Sequence, residues 1–119
     1  MIDITDRVEA AVREAGVRNG SVIVFCPHTT AAITINENAD PDVVHDILLA
    51  LDEIVPRSNR GFQHSEGNSD AHCKSSLVGC SEQVLVLDGR LTLGTWQAVY
   101  FCEFDGPRSR RVIVQVQGE

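Results

Sequence analysis

Three of the four histidines in this 119-residue chain fall among small polar residues rather than on an apolar stripe. His28 stands in Cys26-Pro27-His28-Thr29-Thr30, while His64 and His72 bracket Glu66-Gly67-Asn68-Ser69-Asp70-Ala71. Neutral imidazole is the commonest metal ligand in proteins, and three imidazoles, or two with a carboxylate, leave a metal one position open for water or substrate. His28, His64 and His72 are therefore read as converging on one site that binds a divalent metal, zinc first. Their spacing matches no standard zinc-finger pattern, so a metal-free role stays open, in which the histidines transfer protons or contact a phosphate. His45, on the polar face of a helical stretch, reads as solvated.

Other residues can support such a site. Glycine and small polar residues from Glu66 to Asp70 precede a helical run, and a helix N-terminus offers unpaired backbone N–H groups and a positive dipole end to an anion. Asn68 and Asp70 lie at that point, and Thr29 and Thr30 could offer hydroxyls to the same anion; a capped helix after a turn explains the segment equally well. Glu37, in Asn36-Glu37-Asn38, is a general base, a metal ligand or a turn residue. Arg108, Arg110 and Arg111 form the one basic cluster, either a phosphate clamp or an exposed turn face. Trp96 reads as a core or interface anchor ahead of a substrate platform. Cys26, Cys73, Cys80 and Cys102 contain no CxxC pair; buried thiols are expected for most of them, and disulfides are not.

The elements that must position these residues follow from periodicity. Ile4, Val8, Ala11, Val12 and Ala15 predict a helix over 4–15, stopped at Gly16. Asn19-Gly20 turns the chain into a β-branched strand, 21–26, which Pro27 ends; the chain resumes as a strand over 31–36, leaving His28 to Thr30 at the junction. Asp40-Pro41 opens a helix with Val43, Val44, Ile47, Leu48, Leu51 and Ile54 on one stripe, ending at Pro56. A long polar loop, 57–69, leads to a short helix over 71–78, capped by Ser69 or Asp70. The last third reads as strands over 83–87, 90–93, 98–104 and 111–117, with an Asp88-Gly89 hairpin turn. Antiparallel strands with interspersed helices predict an α+β fold.

At 43% hydrophobic and 23% charged residues the chain has the composition of one globular domain, spanning 1–119. A formal charge of −7 disfavours nucleic acid and anionic membrane surfaces as partners. No apolar run reaches the roughly 20 residues of a membrane span, and Met1 to Arg7 do not form a leader, so a cytoplasmic location is expected.

Six motifs in order carry a resemblance: His-Thr-Thr-Ala (28–31), Ile-Asn-Glu-Asn (35–38), Asp-Pro-Asp-Val (40–43), Gly-Asn-Ser-Asp-Ala-His (67–72), Leu-Gly-Thr-Trp-Gln (93–97) and Glu-Phe-Asp-Gly-Pro-Arg (103–108). Together they resemble the YjbQ-like family, also called secondary thiamine-phosphate synthase. The resemblance implies a compact α+β fold with a mostly antiparallel sheet, a homotrimer, and a pocket near subunit boundaries. It also implies a weak transferase activity that joins the pyrimidine and thiazole halves of thiamine phosphate. The family's polar signature falls on His28, Thr29, Asn36, Glu37, His64, Asn68, Asp70, His72, Trp96 and Arg108. Family members commonly begin with an extra strand ahead of the first helix; here Met1 stands directly before Ile2-Asp3-Ile4, and a domain without that strand is expected. The chain also lacks the length and the βα alternation of a (β/α)₈ barrel, so such an activity would rest on an unrelated scaffold.

The leading expectation is a trimeric enzyme acting on a phosphorylated or pyrophosphorylated small molecule. His28 and His72 join Glu37 as its catalytic residues; Thr29, Asn68, Asp70 and Arg108 hold the anion, and His28, His64 and His72 form its possible metal set. The alternative is a metal or phosphometabolite binding module without turnover. A third reading is a trimeric structural protein with histidines at its interface.

Overall fold

Alternating apolar residues place two antiparallel sheets face to face in the computed structural model, which describes residues 1–119. In chain order the elements are β1 (Ile2–Asp3), α1 (Thr5–Ala15), β2 (Gly20–Phe25), β3 (Ala31–Glu37), α2 (Pro41–Ile54), α3 (Ser69–Val78), β4 (Ser81–Leu87), β5 (Arg90–Leu91), β6 (Gln97–Glu103) and β7 (Ile113–Gly118). One sheet has the order β1-β6-β3 and the other β5-β4-β2-β7, with every pairing antiparallel. The fold is α+β, as the sequence pattern predicts.

The core lies between the sheets and under α1. β2 turns Val22 and Val24 inward, β4 adds Val84 and Val86, β3 and β6 supply Ile33, Val99 and Phe101, and α1 presses Val8 and Val12 onto them. Each fully buried side chain of this kind contributes about 1.5–3 kcal/mol. α1 stops at Gly16, whose left-handed conformation (φ 70°) lets its N–H reach the Arg13 carbonyl. The β4–β5 hairpin closes through Asp88 (φ 52°) and Gly89 (φ 76°), the positive pair that a two-residue turn demands.

Differences from the periodicity are local. A two-residue strand, Ile2–Asp3, precedes α1 and pairs with Phe101 and Tyr100, although two residues carry too little alternation to announce a strand. β7 starts at Ile113 rather than Arg111, because the Arg111 N–H is spent on the His28 ring. α3 starts at Ser69 with Asn68 as its N-cap residue, so neither Ser69 nor Asp70 caps it.

α2 begins as expected, with Asp40 accepting from the Asp42 N–H and Pro41 in the first turn. Its apolar stripe, however, buries no residue. Only the side of α2 near Val44 packs on the small cluster of Ala32, Ala98, Tyr100 and Cys102. The result is an elongated molecule of 51 × 28 × 20 Å. No helix is long and apolar enough to cross a membrane.

Candidate functional site

α3 is an unusual helix because its inward face is polar: Asp70, Lys74 and Ser75 are buried beside Ala71. Ser75 Oγ donates to the carbonyl of Thr29 at 2.5 Å, with the carbonyl of His72 3.0 Å away. That bond ties the β2–β3 junction to α3, so the backbones of the two histidine-bearing segments do meet.

Their side chains divide into two groups. His64 and His72 pack edge to face, with ring centroids 5.5 Å apart. His28, half-buried, turns the other way: its Nε2 accepts the backbone N–H of Arg111 at 3.0 Å, at the approach to β7. No three His, Cys, Asp or Glu side chains gather to hold a metal. The expected set of His28, His64 and His72 is thus not assembled within one chain, because Pro27 releases His28 beside β7 while α3 carries His72 on its own surface.

The remaining expected residues separate likewise. Asn68 is buried and donates from Nδ2 to Asp105 Oδ2 at 2.8 Å; its Oδ1 has no partner. Arg108 is not a free clamp, for it holds Asp105 at 3.0 Å and donates from Nε to the Asp105 carbonyl. The Asn68 hydrogen bond, then the Arg108 charge, holds the Asp105 carboxyl below its usual range. Asp70 is buried 3.5 Å from Lys74 Nζ, which also reaches Asp52 of α2 at 2.5 Å. Thr29 is exposed and free, whereas Thr30 is buried with its hydroxyl accepting from Arg110 at 2.8 Å. Arg110 grips Glu103 through two nitrogens at 2.6 and 2.7 Å, and that hydrogen bonding, more than charge alone, lowers the Glu103 pKa.

Glu37 stands at the far end of β3 from Thr30, about 23 Å away at the usual strand rise. There its carbonyl accepts from Tyr100 Oη at 2.9 Å. Trp96 is 61% exposed, so it anchors no core of this chain. His45 is exposed, as its place on the polar face of the helix predicts, and its Nδ1 lies 3.0 Å from Asp46 Oδ1. Cys26 and Cys102 are buried thiols, Cys102 pushed by burial to about 11, whereas Cys73 and Cys80 are exposed.

Two cavities flank this network. A polar pocket of about 320 Å³ opens at the start of α3 and is lined by Arg57, Ser58, Asn59, Phe62, His64, Gly67 and Ser69. Its chemistry is that of an anion receptor: one guanidinium, one imidazole, hydroxyls and the first turn of a helix. A more apolar pocket of about 530 Å³ lies between α1, β6 and β7, with Ile4, Val8, Phe101 and Val114 below and Arg7, Arg108 and Arg111 at its margin. It contains no histidine.

Sequence reasoning missed Arg57 and Ser58, which sit in an irregular loop with no periodicity to fix their direction. It also missed Lys74. The signal was present, since Asp70 and Lys74 stand four apart on one helix, but nothing in a sequence distinguishes a buried pair from a solvated one. Arg110 was grouped with Arg108 and Arg111, although of the three only Arg110 is mostly buried.

The family described as "UPF0047 protein YjbQ-like" matches residues 1–119. The chain is 56% identical over 118 residues to the UPF0047 protein YugU of Bacillus subtilis, covering 99% of this chain and 89% of that protein. It is 52% identical over 119 residues to the UPF0047 protein MJ1081 of Methanocaldococcus jannaschii, covering 100% and 86%. Among solved structures, an uncharacterised YjbQ/UPF0047 protein of Clostridium acetobutylicum superposes with a TM-score of 0.95 at 58% identity, covering 98% of this chain and 89% of that one. A YbjQ-like protein of unknown function from Sulfolobus solfataricus gives 0.93 at 38% identity, covering 99% and 86%. The chain belongs to the UPF0047 YjbQ-like family.

Proposed function

We propose that this YjbQ-like protein is a small homotrimeric cytoplasmic enzyme acting on a phosphorylated or pyrophosphorylated small molecule, with thiamine-phosphate synthesis as a weak transferase activity. The observation that carries this reading is the His64–His72 pair, 5.5 Å apart, beside the polar pocket at the open first turn of α3. Departure of a pyrophosphate needs negative charge stabilised and one oxygen protonated. Arg57, Ser69 and the first amides of α3 supply the first requirement, and an imidazole of the pair supplies the second.

The stripe of α2, half-buried from Val43 to Leu51 and exposed at Ile54, supports the trimer, because an incompletely covered apolar helix face is stabilised by burial against another copy. Assembly also gives His28 and Glu37 a route into the reaction, in trans, that one chain does not offer them. Thr29, Asn68, Asp70 and Arg108 act in this reading around the anion: Thr29 by its free hydroxyl, the other three by holding α3 and the 103–110 turn in place.

The test is turnover of a pyrophosphorylated pyrimidine with a phosphorylated thiazole by the purified protein. His64→Ala and His72→Ala are expected to lower it about 100-fold or more, the usual worth of a positioned proton donor, with thermal stability unchanged. Undiminished turnover in both variants overturns the reading.

A second reading, a metal or phosphometabolite binding module without turnover, is favoured by the same imidazole pair. Zinc fits this chain only in part: Glu66 Oε1 lies 3.8 Å from His64 Nε2 beside the imidazole pair, but no three such side chains gather around one centre. Here the protein is stabilised by zinc or by phosphate in thermal shift, while no product forms.

A further inference from the structure

The β2–β4 ladder runs antiparallel with Val24 opposite Glu82 and Phe25 opposite Ser81. One further step sets Cys26 opposite Cys80, and the Cys26 N–H donates to the Cys80 carbonyl at 2.7 Å, so the pairing persists through that step. Val22 and Val24 on β2, and Val84 and Val86 on β4, face inward. Cys26 and Cys80 continue the same two alternations, Cys26 buried and Cys80, one residue before β4, exposed.

Directly opposed residues on one face have Cβ atoms about 4.5–5.5 Å apart. A disulfide asks for about 3.5–4.5 Å between Cβ atoms and about 4.4–6.8 Å between Cα atoms, so a shift of about 1 Å closes the bond. The two thiols differ in access: Cys80 is exposed, and Cys26 is 1% exposed. Cys102 is buried on the other sheet, opposite Ala32, and Cys73 is exposed on α3.

We propose that Cys80 and Cys26 form a two-thiol oxidation site, in which a peroxide oxidises the exposed Cys80 and the buried Cys26 resolves it to an intramolecular disulfide. The Cys80 thiolate attacks one peroxide oxygen, the O–O bond breaks, and the leaving oxygen departs as water, giving a sulfenic acid. The Cys26 sulfur then displaces the hydroxyl from the Cys80 sulfur, forming the S–S bond and releasing a second water. Two thiols lose two electrons and two hydrogens, and one peroxide becomes two waters.

The position of the bond gives it a consequence. Cys26 immediately precedes Pro27 to Thr30, and Cys80 follows Gly79, where α3 ends and whose carbonyl accepts from the Ile33 N–H at 3.1 Å. Oxidation therefore staples the His28 segment to the C-terminal end of α3, and its effect on ligand handling rests on the function proposed above.

Hydrogen peroxide added to the reduced 119-residue protein, followed by alkylation and peptide mass mapping, tests the site. The expected product is one Cys26–Cys80 bridge within the chain, lighter by two hydrogens and restored by dithiothreitol. Cys80→Ser abolishes it and Cys73→Ser leaves it intact. Bridges found only between chains through Cys73 or Cys80, or Cys80 driven to sulfinic acid while Cys26 remains alkylatable after unfolding, overturn it. Because the mass is read without substrate, a missing bridge and a failed turnover assay are told apart.

Discussion

α1 and α2 carry the same sequence signature, an apolar stripe at helical spacing, and meet opposite fates. α1 lies across the sheets with Val8 and Val12 fully buried, while α2 has no residue fully buried and leaves Ile54 69% exposed. The stripe states what a helix requires, not where the requirement is met. For α1 the partner is this chain's own core. For α2 this chain supplies only partial cover, and a second copy is the occupant that the proposed trimer would provide.

Paired substitutions of one type break this comparison most directly. Val12→Asp places an unpaired charge in a site with 0% exposure and is expected to cost about 4 kcal/mol or more, read as loss of the cooperative urea transition. Leu48→Asp on α2 is expected to cost the single chain less than about 1 kcal/mol while reducing the mass seen by light scattering to that of a monomer. Equal loss of folding in both variants would remove the distinction between the helices.

The polar contacts sharpen it further. Arg110 and Glu103 are mostly buried and join the 103–110 turn to Thr30, so Arg110→Ala is expected to cost about 3 kcal/mol in denaturant unfolding. The pH dependence has a definite sign. The Glu103 carboxyl sits below its ordinary value of 4.5, so its contribution is present above that value and fades as the pH falls through the folded-state pKa. Acid titration of the wild-type protein should show this loss, and Glu103→Gln should flatten it. The smallest effect is expected at Asp52→Ala. Asp52 is 70% exposed, and Lys74 retains Asp70, so the cost stays under about 1 kcal/mol. A larger loss would show that α2 is held by this chain after all.

Much of the fold was legible because periodicity and turn chemistry agree. Asp40-Pro41, Gly16 and Asp88-Gly89 each fix an element boundary by a local rule that tertiary packing does not override. The site was legible as segments and not as side chains. Ser75, a residue of no obvious chemistry, decides that the His28 segment touches α3, and Pro27 with β7 decides that the His28 ring faces Arg111. Neither decision leaves a trace in spacing. Glu37 shows the same limit, since its motif is close to His28 in sequence while the length of β3 carries it to the opposite end.

Asn68 has a consequence for motion. The residue occupies the N-cap position of α3 without capping it, because its amide is turned to Asp105, and its buried Oδ1 accepts from no donor. A missing side-chain cap costs a helix about 1 kcal/mol. The first turn of α3 is therefore less stable than the sheets that support it, and its amides exchange with solvent by local opening long before the core unfolds. The polar chemistry of this molecule sits at a helix start that has no side-chain cap.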